Sequence, residues 1–573
     1  MKKNHQRIKK NLDAGTLNGQ AGWVKQLFIQ FGLVLTAAIL FSLSHPNLLF
    51  ENGLPFLAWV AYIPVLILIP KNNIASCAGW GAIYGLSSYA LFNYWLSNFH
   101  PLAGIGVYLI YLSFMTAVFL LMKLACIFFQ KKAYIVQWII WLAYEYMQTK
   151  GFLGFPYGIT GYSQWRIIPL IQIASITGVW GVSALVTFPS FWLAAAFKNR
   201  RESIRWFSRQ GISGIRAALV CFFQKEKISA IVWTVSLFAA LVFGFASNKD
   251  YSEYPTARIA LIQHATDPWE ASRVPTLWQI MEIYKKDLAI LKRLSDEALE
   301  SQPKPDLVVW PETAFVPRIH WHSTYRDDQD SWLIVKDLLD YLSTKDVPFI
   351  IGNDDARMDR GKNPNAAERH RVDYNAAMLF ENGINTAIYR KMHLVPFTEH
   401  FPYKKQLPFI YKLLQNVETH FWEKGEEETL FQGPGFTFST PICFEDSFGY
   451  LSRAFVRRGA DVLVNLTNDA WAKSLPSQKQ HLSMAVFRAV ENNRSMVRST
   501  VSGQTCAIDP SGRIMSEAPP FKEAFIIADV PLASGNTIYT KYGDYLALVF
   551  LFMAVILLLF GAFWYIIKLA KTA

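Results

Sequence analysis

Long apolar runs, interrupted at short intervals, fill the first half of this 573-residue chain. A membrane-crossing helix needs about 20 largely apolar residues. Eight stretches fit or approach that length: 26–44, 54–70, 76–97, 103–129, 133–149, 167–197, 228–247 and 544–567, of which the second and fifth are short. Between 250 and 540 the pattern changes. Short apolar runs of strand length alternate there with amphipathic helical spacing. ARIALIQ at 257–263, DLVVWPE at 306–312, VPFIIGN at 347–353, FTFSTPIC at 436–443 and DVLVNLTN at 461–468 predict buried strands. Helical spacing covers 275–300, 446–458 and 478–494. AAMLFE and TAIYRK flank Asn382-Gly383, a hairpin-turn signature, and a second hairpin is expected to turn at Pro510-Ser511-Gly512. The order predicts a basic N-terminus at 1–25, a membrane bundle of about seven spans at 26–247, an α/β domain at 250–540, and a C-terminal membrane helix at 544–567.

Composition sharpens this division. Only 17% of residues are charged and 52% are apolar, against about 25% charged in an average soluble protein. The net charge of +12 does not point to nucleic acid, because the basic residues cluster beside apolar segments. Lys2, Lys3, Arg7, Lys9, Lys10 and Lys25 precede the first span, whereas the next loop, SHPNLLFENG, has no Lys or Arg. Lys71, then Lys131 and Lys132, then the strongly basic stretch 198–227, continue the alternation, and Lys568 and Lys571 close it. Lys and Arg stay on the cytoplasmic side. Both termini are therefore expected in the cytoplasm and 250–540 outside it. Reading one short segment as re-entrant would invert that placement. No A-x-A-like cleavage site follows Phe41, so the first span is expected to be retained. The stretch 198–227 reads either as an amphipathic helix on the inner leaflet or as a solvated basic loop. Lys123 and Glu145 are ionisable residues inside spans, and such groups are functional suspects, although Glu145, near the outer end of its span, reads at least as well as a group exposed at the interface.

The five cysteines are Cys77, Cys126, Cys221, Cys443 and Cys506. Only the last two fall in the α/β part, too few for a disulfide framework, and no C-x-x-C pair suggests zinc. No metal and no cofactor is expected. Three polar residues stand at the ends of apolar strands: Glu312 after DLVVWP, Lys391 after TAIYR and Cys443 after TFSTPI. Each alone is weak. Together they make a workable acyl-transfer set. A carboxylate takes the thiol proton and later returns one to a leaving group. An ammonium stabilises the oxyanion of the attacked carbonyl and favours the thiolate. A helix starting near Asp446 would aim its positive end at Cys443.

The surrounding sequences, WPETAF at Glu312, YRKMHLVPFTEHFP at Lys391 and ICFEDSF at Cys443, resemble the nitrilase superfamily, which also has the order Glu, Lys, Cys. NLTNDAW at 465–471 and RSTVSGQT at 498–505 fit the same resemblance. The resemblance implies an αββα sandwich. With the helical bundle before it and one span behind, the chain resembles the membrane-embedded branch, the apolipoprotein N-acyltransferase family. That likeness implies catalytic Glu312, Lys391 and Cys443, supporting roles for Glu399, Glu445 and Trp269, and no cofactor. It implies a phospholipid acyl donor, usually phosphatidylethanolamine, and a diacylated apolipoprotein acceptor. It also implies the bacterial inner membrane as location and a thioester on the cysteine. Phe444 replaces the more usual Tyr, His264 an Asn, and Val501 an Asn, which leaves loop packing and substrate preference open. Phe421, Trp422 and Trp471 are candidates for an apolar mouth or for core. Two other readings compete. A membrane-tethered amide hydrolase would use the same triad with water as acceptor. A transporter or receptor with an inert binding module would have no need of the intact triad.

Overall fold

The computed structural model describes residues 2–99, 101–196, 226–247, 249–267, 269–359, 371–415 and 421–572. Most of the basic stretch 198–227, with Cys221, lies outside the described residues. The chain divides into two compact units: Met1–Tyr144 with Leu185–Thr234 and Phe550–Ala573, and Glu145–Ala184 with Val235–Val549.

Among the described residues, five helical stretches are long and apolar enough to cross a membrane: Trp23–Ser44, Ala103–Met147, Val179–Ala196, Lys227–Ala246 and Tyr545–Thr572. Ala103–Met147 is 45 residues long and contains the turn Gln130–Lys132, where Gln130 has φ +43°. At about 1.5 Å per residue it is twice the bilayer core, so the two expected spans 103–129 and 133–149 fit within it. The expected span 54–70 is not one helix. Pro55, Pro64 and Pro70 each open a short helical piece, Pro55–Trp59, Ile63–Leu66 and Ile69–Lys71, because proline lacks the N–H that a continuous helix needs. The expected span 167–197 is also divided. Ile168–Ile171 and Ala174–Thr177 are single turns, Gly178 breaks the run with φ +66°, and the long helix starts at Val179. The segment 76–97 becomes the helix Ile74–Phe92 and a separate turn, Leu96–Phe99.

The second unit is built on twelve strands: β1 Thr256–Gln263, β2 Leu307–Val309, β3 Phe349–Met358, β4 Arg371–Glu381, β5 Ile384–Arg390, β6 Phe431–Gly433, β7 Phe436–Ser439, β8 Val462–Thr467, β9 Ser495–Thr500, β10 Cys506–Ile508, β11 Ile514–Glu517 and β12 Ala524–Pro531. They form two six-stranded sheets, β12-β1-β2-β3-β4-β5 and β11-β10-β9-β8-β7-β6. β1–β2–β3 and β7–β8–β9 run parallel at the two centres. β2 and β8 are buried at every position, as central parallel strands are, and β9 is buried throughout while carrying Arg498, Ser499 and Thr500. The sheets meet at β1, β2 and β9, where Ser499 Oγ donates to the carbonyls of Ile262 (2.8 Å) and Val309 (3.1 Å). Leu277–Leu299 and Gln329–Ser343 cover the first sheet, burying Leu288, Leu291, Ile334 and Leu338 against Ile262, Val308 and Ile351. Both expected hairpins form. β4 and β5 turn through Asn382 (φ +50°) and Gly383 (φ +78°), the positive pair that a type I′ turn requires. β10 and β11 turn through Asp509–Gly512. The helix expected over 446–458 begins later, at Gly449. Residues Cys443–Ser447 form a 3₁₀ turn, and Phe448 is extended between the two.

Glu145–Ala184 belongs to the unit that holds both sheets. Its ties are polar and buried. Arg488 Nη2 donates to Tyr162 Oη (3.2 Å), Val179 N to Glu491 Oε1 (3.0 Å) and Gln172 Nε2 to the Ser511 carbonyl (2.8 Å). Glu145 is buried, and its Oε1 accepts from Thr160 N (3.1 Å) and Thr160 Oγ1 (2.5 Å). It is thus the anchor of the 160–164 turn rather than an exposed interfacial group.

Candidate active site

Glu312, Lys391, Glu399 and Cys443 come from four separate loops. Glu312 follows β2 on the segment Pro311–Thr313, and Thr313 has φ +46°. β3 presses against this segment at Gly352. A Cβ there would lie 2.3 Å from the Pro311 carbonyl oxygen and 2.7 Å from Glu312 Cα, so glycine is what lets the two backbones meet. Lys391 follows β5, and its backbone N donates to the Asn375 carbonyl (2.8 Å) while its carbonyl accepts from Gly425 N (2.8 Å). Asn375 Nδ2 in turn donates to Glu312 Oε1 (2.8 Å).

The Lys391 side chain is wholly buried and bridges two carboxylates: Nζ donates to Glu312 Oε1 (3.2 Å) and Glu399 Oε1 (2.9 Å). Burial alone would lower the lysine. The charges of Glu312, Glu399 and the Cys443 thiolate reverse that and hold it well above its ordinary value. Glu399 is pushed up by burial and by Glu312, against the pull of Lys391. The cluster thus combines a fixed positive charge with a carboxyl group that can carry a proton. Glu399 sits in a tight loop, with its Oε2 accepting from Val395 N (2.9 Å) and Phe397 at φ +65°.

Cys443 is partly exposed and has φ +49°, an uncommon conformation for a residue with a side chain. It opens the 3₁₀ turn directly after the bridge between Ile442 and Leu466, which extends β7 toward β8. Its thiol is set back from the opening. Burial, and then Glu312, raise it well above the usual thiol value, while Lys391 and a hydrogen bond with Thr467 pull it down. At neutral pH the resting group is a thiol, and it could act as a nucleophile only after a base took its proton.

Glu445 has a different position from the other two carboxylates and the lysine. Its carboxylate accepts from Met392 N (2.7 Å), His393 N (2.9 Å), Ile442 N (2.8 Å) and Tyr389 Oη (2.9 Å). It ties the turn after Lys391 to the turn that carries Cys443. Burial pushes it up to about 7 against those donors. Trp269 packs edge-to-face on Trp471 with centroids 4.9 Å apart. Asp267, between β1 and Trp269, pairs with Arg273 and Lys473 (both 2.8 Å). Trp422 is fixed by Asp354, accepting at 3.0 Å, and Phe421 stacks on Tyr411 at 5.4 Å. Both are half-buried.

Two features escaped the sequence reading. First, residues 148–166 read as a loop between spans, yet Phe152 packs on Phe397 (5.1 Å), Phe401 and Tyr403, and Phe155 reaches Phe444 (6.3 Å). The spacing F-L-G-F-P-Y at 152–157, aromatic-rich and glycine-broken, was the available signal. Second, a buried box of Asp446, Asp469, His481 and Arg498 lies behind Cys443. Asp469 and Arg498 fall inside motifs noted in the sequence, but nothing there reveals their pairing.

Residues 258–538 match the carbon-nitrogen hydrolase family, and residues 37–192 match the apolipoprotein N-acyltransferase N-terminal domain. The chain is 43% identical to apolipoprotein N-acyltransferase 1 of Treponema denticola over 534 residues, covering 91% of this chain and 94% of that protein. It is 45% identical to apolipoprotein N-acyltransferase 1 of Treponema pallidum over 549 residues, covering 94% and 96%. This chain belongs to the apolipoprotein N-acyltransferase family. As a member it is an acyltransferase with a nitrilase-like αββα domain and membrane-spanning helices. An amidase from Nesterenkonia sp. AN1 aligns with 52% of this chain and 97% of its own, at 17% identity and a TM-score of 0.35. In this member the three departures noted in sequence occupy packing positions. His264 is buried and held down to about 3 by desolvation, the Val501 carbonyl accepts from Ala265 N (2.7 Å), and Phe444 lies under Phe448 (4.9 Å).

Proposed function

We propose that this chain moves a fatty acyl group from a membrane phospholipid, phosphatidylethanolamine in the first instance, to the N-terminal α-amino group of a diacylglyceryl-cysteine on an apolipoprotein. The reading is carried by one observation: a buried lysine bridging two carboxylates beside a partly exposed cysteine, in a chain of this family. Glu312 takes the Cys443 proton as sulfur attacks the donor ester carbonyl. Lys391 donates to the tetrahedral oxyanion. The C–O bond to the glycerol breaks, Glu312 returns the proton to the departing lysophospholipid, and the acyl group remains on Cys443 as a thioester. In the second half the acceptor amine attacks the thioester carbonyl, Glu312 takes a proton from the nitrogen, and the thiolate leaves and recovers it. Glu399 holds Lys391 in place, Glu445 holds the two loops together, and Trp269 lines the approach. Splitting the transfer lets two bulky lipids occupy one site in turn. Both stay in the bilayer, since each buried methylene contributes about 0.8 kcal/mol.

The family likeness supports the bacterial inner membrane as the location, and the charge alternation supports cytoplasmic termini with 250–540 on the extracytoplasmic side. A cysteine placed at exposed Glu381 is expected to react with an impermeant maleimide in spheroplasts. Reaction only after lysis would put the domain on the cytoplasmic side. The test of the chemistry is incubation with phospholipid alone. It should add one fatty acyl mass to the peptide containing Cys443, removable by neutral hydroxylamine. Diacylated lipopeptide should then discharge it to triacylated product with ping-pong kinetics. Release of free fatty acid with no lipopeptide product would make water the acceptor and the chain a hydrolase instead. Label on Cys506 would remove Cys443 as nucleophile.

A further inference from the structure

Behind the nucleophile turn, four elements each contribute one buried charge. The 3₁₀ turn brings Asp446, three residues after Cys443. The turn after β8 brings Asp469, the helix Leu475–Asn492 brings His481, and β9 brings Arg498. His481 Nε2 is 2.6 Å from Asp446 Oδ1, and Nδ1 is 2.8 Å from Asp469 Oδ1. Arg498 spans the second oxygens of the same carboxylates, bonding Asp446 Oδ2 through Nη1 and Asp469 Oδ2 through Nη2 at 3.2 Å. Arg498 Nη2 is also 3.2 Å from His481 Nδ1, and Tyr157 lies over the imidazole with centroids 6.3 Å apart.

A neutral imidazole has one N–H and one lone pair. A carboxylate oxygen lies 2.6 Å from one nitrogen and 2.8 Å from the other, both closer than the competing donor Arg498 Nη2 at 3.2 Å, so the geometry favours both nitrogens as donors. The box then holds two carboxylates and two cations, which is neutral as a whole. Position gives that neutrality a use. Asp469 acts directly on the Cys443 thiol and raises it, whereas Asp446 shares the nucleophile's turn. An unbalanced carboxylate at this depth would raise the thiol further and make its proton harder to remove.

We propose that His481 is a positioning residue for Cys443: as an imidazolium it donates one N–H to Asp446 and one to Asp469, fixing the nucleophile turn against the 469–472 turn and cancelling the negative charge beside the thiol. Its hold on the proton agrees with this. Burial opposes the charge, but the two aspartates outweigh it and raise His481 to about 9. The inference rests on Cys443 as nucleophile and concerns how that thiol is kept reactive.

The test reads Cys443 itself. Full-length protein in nanodiscs is treated with iodoacetamide at pH 8, and alkylation of the Cys443 peptide is followed by mass spectrometry. His481→Gln leaves one net negative charge and should slow alkylation about tenfold, the effect of one unit on the thiol. Asp446→Asn leaves one net positive charge and should leave the rate at or above wild type. The double variant is neutral again and should regain most of the loss, with kcat for acyl transfer following and phospholipid KM within about twofold. A packing role predicts otherwise: both single variants slow, and the double slower still. That pattern overturns the proposal. If His481→Gln does not fold, Asp446→Asn decides alone, because slowed alkylation contradicts charge cancellation. Cys443→Ala separates the two claims. An active Ala variant removes the nucleophile reading, while an inactive one beside unaltered alkylation in His481→Gln removes only the role of His481.

Discussion

Lys123 and Lys391 are both withdrawn from bulk water, one in each unit, and the two units treat them differently. Lys123 lies on the helix Pro101–Phe129 and donates to two backbone carbonyls, Ile69 (3.2 Å) and Pro70 (3.4 Å), at the proline-broken end of a short helix. Those carbonyls have no intrahelical partner, so the ammonium satisfies them and keeps partial access to its surroundings. Lys391 is closed in completely and faces two carboxylates. A buried ion pair is a costly way to gain stability, since desolvation offsets most of the attraction. A cluster with one cation and two carboxylates is costlier still. The difference teaches that the first unit uses a charge to finish a helix end, whereas the second holds an expensive charge cluster, a cost that the proposed chemistry accounts for.

The largest expected effect comes from removing the expensive charge. Lys391→Met should abolish acyl transfer, by about three orders of magnitude or more, because the oxyanion donor is lost. It also leaves Glu312 and Glu399 facing each other, a loss of about 3–5 kcal/mol if both stayed ionised. The protein should still reach the membrane and elute as a folded species. Near-normal turnover would erase the contrast. Next comes Glu445→Gln. An amide has one acceptor oxygen where four donors converge, so one N–H donor is left facing another at a cost of about 1–3 kcal/mol. The two catalytic loops should drift apart, with kcat down about ten- to a hundredfold and KM little changed. An intact kcat would make Glu445 a purely structural residue.

A pH series sharpens the view of buried charge in the catalytic unit. His481 is raised from 6.5 to about 9 in the folded protein. Its contribution to stability is therefore complete below about 6.5 and is lost as pH rises through 9. Thermal unfolding of wild type should show that decline, and His481→Gln should flatten it. A decline of equal size in the variant would assign it to another group. Phe152→Ala and Phe155→Ala should each raise phospholipid KM several-fold, a change of about 1 kcal/mol, with smaller effects on kcat. The smallest effect is expected at Lys123. Lys123→Met should change turnover by less than about twofold, because its hydrogen-bond partners are backbone carbonyls rather than carboxylates. Loss of activity there comparable to Lys391→Met would break the comparison outright.

The sequence by itself determined the apolar segments, the two hairpins, the strand-rich region and the three strand-end residues Glu312, Lys391 and Cys443. Each of these is a local property. Hydrophobic period sets the elements, Asn-Gly sets a turn, and WPETAF, YRKMHL and ICFEDSF lie in contiguous sequence. Helix boundaries at 54–70 and 167–197 were legible in part, since Pro55, Pro64, Pro70 and Gly178 stood in view. They were outweighed by hydropathy, which averages over such breaks. Only the tertiary structure decided the rest. It brought Glu399 onto Lys391 across a tight loop, made Glu445 a clasp between two loops, assigned Glu145–Ala184 to the unit with both sheets, and closed the box of Asp446, Asp469, His481 and Arg498. The physical reason is sequence separation. A buried charge is tolerable only beside its partner, and these partners come from β strands, turns and helices far apart in sequence, 79 residues for Glu312 and Lys391 and 52 for Asp446 and Arg498, so the pairing exists only once the sheets have brought their ends together.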